Sequence, residues 1–208
     1  MKNKLLDYIG QLRIYSLIDL ILLLYAAGAD REELIGGVLL HIGFLAFLES
    51  KHRHGYRENV PLWLCLLFII PGLILYGHIE SIGFLAFSFL YALKNGGYFG
   101  IFAPLFRGMQ YLFLVGGIMG YYTPLIWMIV GIVIVRNLLG DIRDAQKDRV
   151  EGLKTLPMIL GLKKGFKYIH LAGVLATTLI AWNISDLSWI YLIAIWIIEI
   201  STYNLTRR

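Results

Sequence analysis

Long apolar stretches follow one another along this chain, separated by short polar breaks, and the pattern repeats from near one end to the other. It predicts a polytopic bundle of about eight transmembrane helices, at roughly 14–28, 34–49, 61–76, 80–93, 98–119, 123–139, 168–183 and 188–204. Several are shorter than the usual span of about 20 residues. Pro71-Gly72 and Gly96-Gly97 predict kinks or helix ends. No strand-like alternation interrupts the series, so the expected fold class is all-α, a single transmembrane domain over 1–208.

Composition agrees with the pattern. Of the 208 residues 58% are hydrophobic, and mean hydropathy is +0.69. Soluble domains run nearer 45–50% apolar. The first span follows a polar segment of about a dozen residues with no cleavage-like site, so no signal peptide is expected. The one cysteine, Cys65, lies inside a span and reads as a small core residue.

The net charge of +5 matters through its distribution. Odd-numbered breaks carry Asp30, Arg31, Glu32 and Glu33, then Glu80, then no charge, then Asp186. Even-numbered breaks carry Lys51, Arg53 and Arg57, then Lys94, then a run from Arg143 to Lys167. Both ends are basic as well. The bias of Lys and Arg toward the cytoplasmic side predicts an integral protein of the cell membrane with both termini inside. Nothing in this distribution calls for a nucleic-acid partner; membrane lipids are the expected surroundings.

One polar segment differs from an ordinary break. NLLGDIRDAQKDRVEGLKTLP follows the sixth span and carries Asp141, Asp144 and Asp148. At about 100° per residue, positions i, i+3 and i+7 share a helix face, and Asn137 joins them one turn earlier. Clustered carboxylates repel one another, and a hard cation relieves that repulsion. Mg²⁺ suits such oxygens, because it commonly takes one or two carboxylates plus substrate phosphates. The plain alternative is a solvated helix face laced with Arg143, Lys147 and Arg149.

The same segment resembles the second aspartate-rich motif of the UbiA superfamily of intramembrane prenyltransferases, D-x-x-D-x-x-x-D followed by Gly and T-L-P. Here the motif reads Asp141, Asp144, Asp148, Gly152 and Thr155-Leu156-Pro157. The nearest version is that of archaeal geranylgeranyl-transferring lipid enzymes. The likeness is specific over about 25 residues. Arg13 before the first span, and Tyr91 with Lys94 closing the fourth, agree more weakly. The resemblance implies a Mg²⁺-dependent transferase of alkyl groups. A prenyl diphosphate held on the aspartates would ionise at its allylic C–O bond, and the carbocation would alkylate a lipid-soluble acceptor. Asp144 and Asp148 would be catalytic. Asp141, Asp144, Asp148 and Asn137 would hold the metal. Family members usually have nine helices, one more than this pattern predicts.

The chain departs from the family after its second span. The family carries N-D-x-x-D-x-x-x-D there, whereas this chain reads HIGFLAFLESKHRHGYREN. No aspartate occurs between Asp30 and Asp141, and Glu49 and Glu58 are the nearby carboxylates. Lys51, His52, Arg53, His54 and Arg57 make that loop basic. Lys51, Arg53 and Arg57 are therefore candidate diphosphate ligands, replacing a metal's charge with their own. Ordinary positive-inside bias is the alternative. Lys94 and Arg107 are further candidates, since an Arg in mid-span marks a functional site or an internal ion pair. His41 and His170 read as hydrogen-bonded packing residues. A CDP-alcohol phosphotransferase is set aside because Asp141 is followed by Ile142, not the Gly its motif requires. A catalytically degenerate homologue that binds an isoprenoid or phospholipid, or scaffolds an active enzyme, is the second expectation.

Overall fold

Hydropathy forces the backbone to satisfy its own hydrogen bonds, which a helix does within one segment. The computed structural model is all-helical over the residues it describes: 13–51, 60–95, 97–150 and 152–161, with isolated positions at 175, 178, 193, 196 and 197. The predicted spans at 168–183 and 188–204 lie outside the described residues, those isolated positions apart. Among the described residues three stretches are long and apolar enough to cross a membrane: Arg31–Lys51, Phe99–Met119 and Pro124–Ile142. Ser16–Ala26, Leu62–Tyr76 and Glu80–Ala92 are shorter apolar helices. The chain falls into two compact units, one of residues 1–78 with 178–208, the other of residues 79–177.

In the first unit, α1 (Ile14–Ala26), α2 (Arg31–Lys51) and α3 (Leu62–Tyr76) follow in order. A reciprocal capping box starts α2. The Asp30 N–H donates to Glu33 Oε2 at 2.7 Å, and the Glu33 N–H donates to Asp30 Oδ1 at 2.8 Å. The other oxygen of Glu33 pairs with His78 Nε2 at 2.6 Å, tying the start of α2 to the end of α3. Small residues let these two helices touch backbone to backbone. A Cβ at Gly36 would collide with the backbone of Tyr76, and one at Gly72 would stand 2.9 Å from Leu40 N. Of the two outcomes expected at Pro71-Gly72, a kink or a helix end, the helix end does not occur. The helix runs through it to Gly77, whose positive φ of 69° makes the stop. The opposite face of α3 exposes Trp63, Leu66, Leu67, Ile70 and Ile74, an apolar stripe suited to lipid.

In the second unit, α4 (Glu80–Ala92) leads through 3-10 turns at Leu93–Asn95 and Gly97–Phe102 into α5 (Ala103–Met119), α6 (Pro124–Val150) and the short α7 (Leu156–Ile159). α5 packs against both α4 and α6. Gly83 accommodates the ring of Phe113, Gly108 admits Ile134 and Val130, and Gly116 admits Tyr121 and Ile126. Phe87 stacks on Phe113 at 5.6 Å. At the α5–α6 turn, burial and the charge of Glu80 push the Tyr121 phenol above its ordinary range, so it stays neutral. The sixth predicted span, 123–139, is the first part of α6, and the helix continues to Val150 as a shared helical face for Asp141, Asp144 and Asp148 requires.

Candidate functional site

The continuation of α6 decides where the carboxylates lie. At about 100° per residue, Ile126, Val130, Val133, Asn137, Asp141, Asp144 and Asp148 fall within about 80° of one another. The first three are buried against the interior of their unit. The face that packs as hydrocarbon in the upper part of α6 is thus the face that carries carboxylates below. Asp141 is 5% exposed and Asp148 8%, and Asp144 is half-buried. The outward side carries Trp127, Met128 and Val135. A solvated acidic face is not what the helix presents.

The end of α6 makes this placement electrostatically demanding. The helix closes in a Schellman arrangement, in which the Leu153 N–H donates to Asp148 O at 2.9 Å and the Gly152 N–H to Arg149 O at 3.2 Å. Gly152 takes the left-handed φ of 70° that the motif needs. Asp144 and Asp148 therefore stand in the last two turns, at the negative end of the helix dipole, where a carboxylate is disfavoured and a cation favoured.

Two polar groups are anchored on adjacent turns of α4, at Tyr91 and at Ser88. In the first, Asn137 Nδ2 donates to the Tyr91 hydroxyl at 3.0 Å. Lys94 Nζ lies 3.5 Å from the same oxygen and 4.9 Å from the ring centroid. Asn137 Oδ1 is buried and accepts no hydrogen bond among the described residues. In the second, Arg107 Nη1 donates to Gln110 Oε1 at 2.6 Å, and Gln110 Nε2 donates to Ser88 Oγ at 2.8 Å. Ser88 Oγ in turn donates to Phe84 O at 2.7 Å. The Arg107 guanidinium also lies 5.1 Å from the Tyr111 ring centroid. Arg107 is buried inside the helical unit rather than at an interfacial bend. Ser88 and Tyr91 are one turn apart on α4, so both groups belong to the same end of the unit.

No family model, curated protein or solved structure matches the chain. The site is therefore read from its own chemistry.

Among the described residues, no three His, Cys, Asp or Glu side chains form a group that could hold a metal by themselves. Helix geometry gives the reason for the stripe, since Asp141 and Asp148 are separated by about 10 Å of rise. The oxygens present fit a different arrangement, in which Mg²⁺ takes one or two carboxylates and completes its shell from a bound phosphate. The buried, unpartnered Asn137 Oδ1 is a hard oxygen of the right kind.

The remaining candidates belong to the first unit. Lys51 is the exposed last residue of α2, with Nζ 5.7 Å from the Phe47 ring centroid. Arg53 and Arg57 lie outside the described residues. Glu49, the carboxylate nearest the place of the family's first aspartate motif, is buried and held by Arg13 at 3.7 Å. His41 is fully buried and hydrogen-bonded to Ser16 at 2.9 Å, a packing role as expected. Gln110 and Ser88 had no place in the sequence reading. Gln110 stands three residues after Arg107 in an apolar span, and that spacing is the signal that exposes it.

Proposed function

We propose that the chain is a UbiA-like intramembrane prenyltransferase, an eight-helix bundle of the cell membrane with both termini cytoplasmic. It transfers an isoprenoid chain from a prenyl diphosphate to a lipid-soluble acceptor in lipid or quinone biosynthesis. The supporting observation is the burial of the carboxylate stripe on the packed face of α6, at the dipole's negative end, one turn after Asn137, which shares the Tyr91 hydroxyl with Lys94. Asp141, Asp144, Asp148 and Asn137 are the oxygen donors for Mg²⁺, one or two carboxylates to an ion, and the metal would supply positive charge against the leaving diphosphate. Lys94 and Arg107 add fixed cationic donors to phosphate oxygens, and an Arg fork can hold two of them at once. Lys51, Arg53 and Arg57 are the reading's source of further positive charge. The allylic C–O bond breaks with its electron pair leaving on the diphosphate. The acceptor's nucleophile then bonds to the carbocation and loses a proton.

The second reading is a homologue that binds an isoprenoid or phospholipid without turnover, or scaffolds an active enzyme. The engagement of Glu49 by Arg13 favours it, because that carboxylate is already committed to an ion pair.

Titration of the purified protein in nanodiscs with geranylgeranyl diphosphate tests binding. Affinity is expected with Mg²⁺ and lost with EDTA, and lost again in the Asp144→Ala, Asp148→Ala double variant. Equal affinity with Mg²⁺ and with EDTA would sink the metal-dependent site. Binding without diphosphate release across a broad acceptor panel would select the second reading.

A further inference from the structure

After the Schellman turn the chain folds back on itself. α7 packs on α6 and on the 3-10 segment Gly97–Phe102. Gly100, on that segment, is fitted between two carbonyls: a Cβ there would collide with Lys154 O and lie 3.3 Å from Lys94 O. The loop of residues 152–155 is thereby brought to the end of α4, where Lys94, Tyr91 and Asn137 are grouped.

Thr155 closes this loop. It is 1% exposed, and its Oγ1 makes no hydrogen bond among the described residues. A threonine just before a helix ordinarily spends its hydroxyl on the first backbone N–H groups, but Thr155 makes no side-chain cap bond to α7. Leaving a buried hydroxyl unsatisfied costs roughly 1–3 kcal/mol. An isosteric valine would fill the same space without that cost. A buried hydroxyl without a partner among the described residues is placed to take one from a ligand.

We infer that Thr155 is a ligand-binding residue of this site, donating its hydroxyl hydrogen to a phosphate oxygen. This rests on the diphosphate reading above. The loop stands beside the cationic Lys94 and immediately after the carboxylate helix, and an anion's oxygen is the acceptor that such a place receives. A hydroxyl bond to a charged oxygen is stronger than one to a neutral group and is lost completely in valine. Serine keeps it.

The test uses full-length protein in nanodiscs with Mg²⁺ and two probes, geranylgeranyl diphosphate and inorganic pyrophosphate. The Thr155→Val variant is expected to bind both about tenfold more weakly, equivalent to about 1.4 kcal/mol. Thr155→Ser is expected to stay within about threefold of wild type. Weakening for the prenyl probe alone would overturn the assignment of the hydroxyl to the diphosphate. Without ligand, Thr155→Val is expected to melt no lower than wild type. Equal binding by wild type and Thr155→Val overturns the inference while leaving the diphosphate reading intact. A lower ligand-free melting temperature in Thr155→Val, restored in Thr155→Ser, overturns it in favour of a structural hydroxyl. Wild type that binds neither probe overturns the diphosphate reading and this inference with it.

Discussion

At Gly36 a methyl group has nowhere to go, because the atoms it would meet are backbone atoms of Tyr76 and Leu75 on the neighbouring helix. Gly36→Ala is therefore expected to destabilise by roughly 1–3 kcal/mol, the usual cost of overpacking. Gly131 is the matched control, since a Cβ there meets nothing within 4 Å. Gly131→Ala should be neutral or stabilising by up to about 1 kcal/mol through helix propensity. Melting of both variants in detergent checks the pair; similar shifts in both would mean that α2 and α3 do not cross this closely. The same contrast shows how residue roles become legible. Arg107 stood out in sequence because it is charged in an apolar span. Its partner Gln110 was legible through the i+3 spacing. Ser88 was not, because its bond to Gln110 depends on the register of α4 against α5.

Along α6 a drop in hydropathy and the end of a helix fall in different places. The apolar pattern fades near Arg136, whereas the backbone hydrogen bonds continue to Val150. Polar side chains end a membrane span but do not break a helix. The stop comes from Gly152 and its left-handed backbone. Gly152→Ala is expected to cost roughly 1–2 kcal/mol and to fray the last turn, which carries Asp148. Faster amide hydrogen exchange over residues 145–150, with no change in α2, is the expected signature. Unchanged protection there would mean that the glycine is not what terminates the helix. Pro71 lies inside α3, which matches the predicted span 61–76, and the adjacent Gly72 serves contact with α2.

For the whole molecule, charge alternation predicts eight crossings with Arg208 in the cytoplasm and the 184–187 loop outside. Reporter fusions at these two places should fall on opposite sides of the membrane, and finding them on one side would refute the count. Helical class and membrane character followed from the sequence alone, because lipid offers the backbone no hydrogen-bond partners and long apolar runs leave helices as the answer. The shared face of Asn137, Asp141, Asp144 and Asp148 followed as well, since helical periodicity is a local property. What that face meets is not local. Tertiary packing turned it inward, with Asn137 on the Tyr91 hydroxyl that Lys94 also approaches, and packing gave Glu49 to Arg13. Periodicity fixes which side chains stand together on one helix; only the packing of helices against one another decides whether they face lipid, water or the interior.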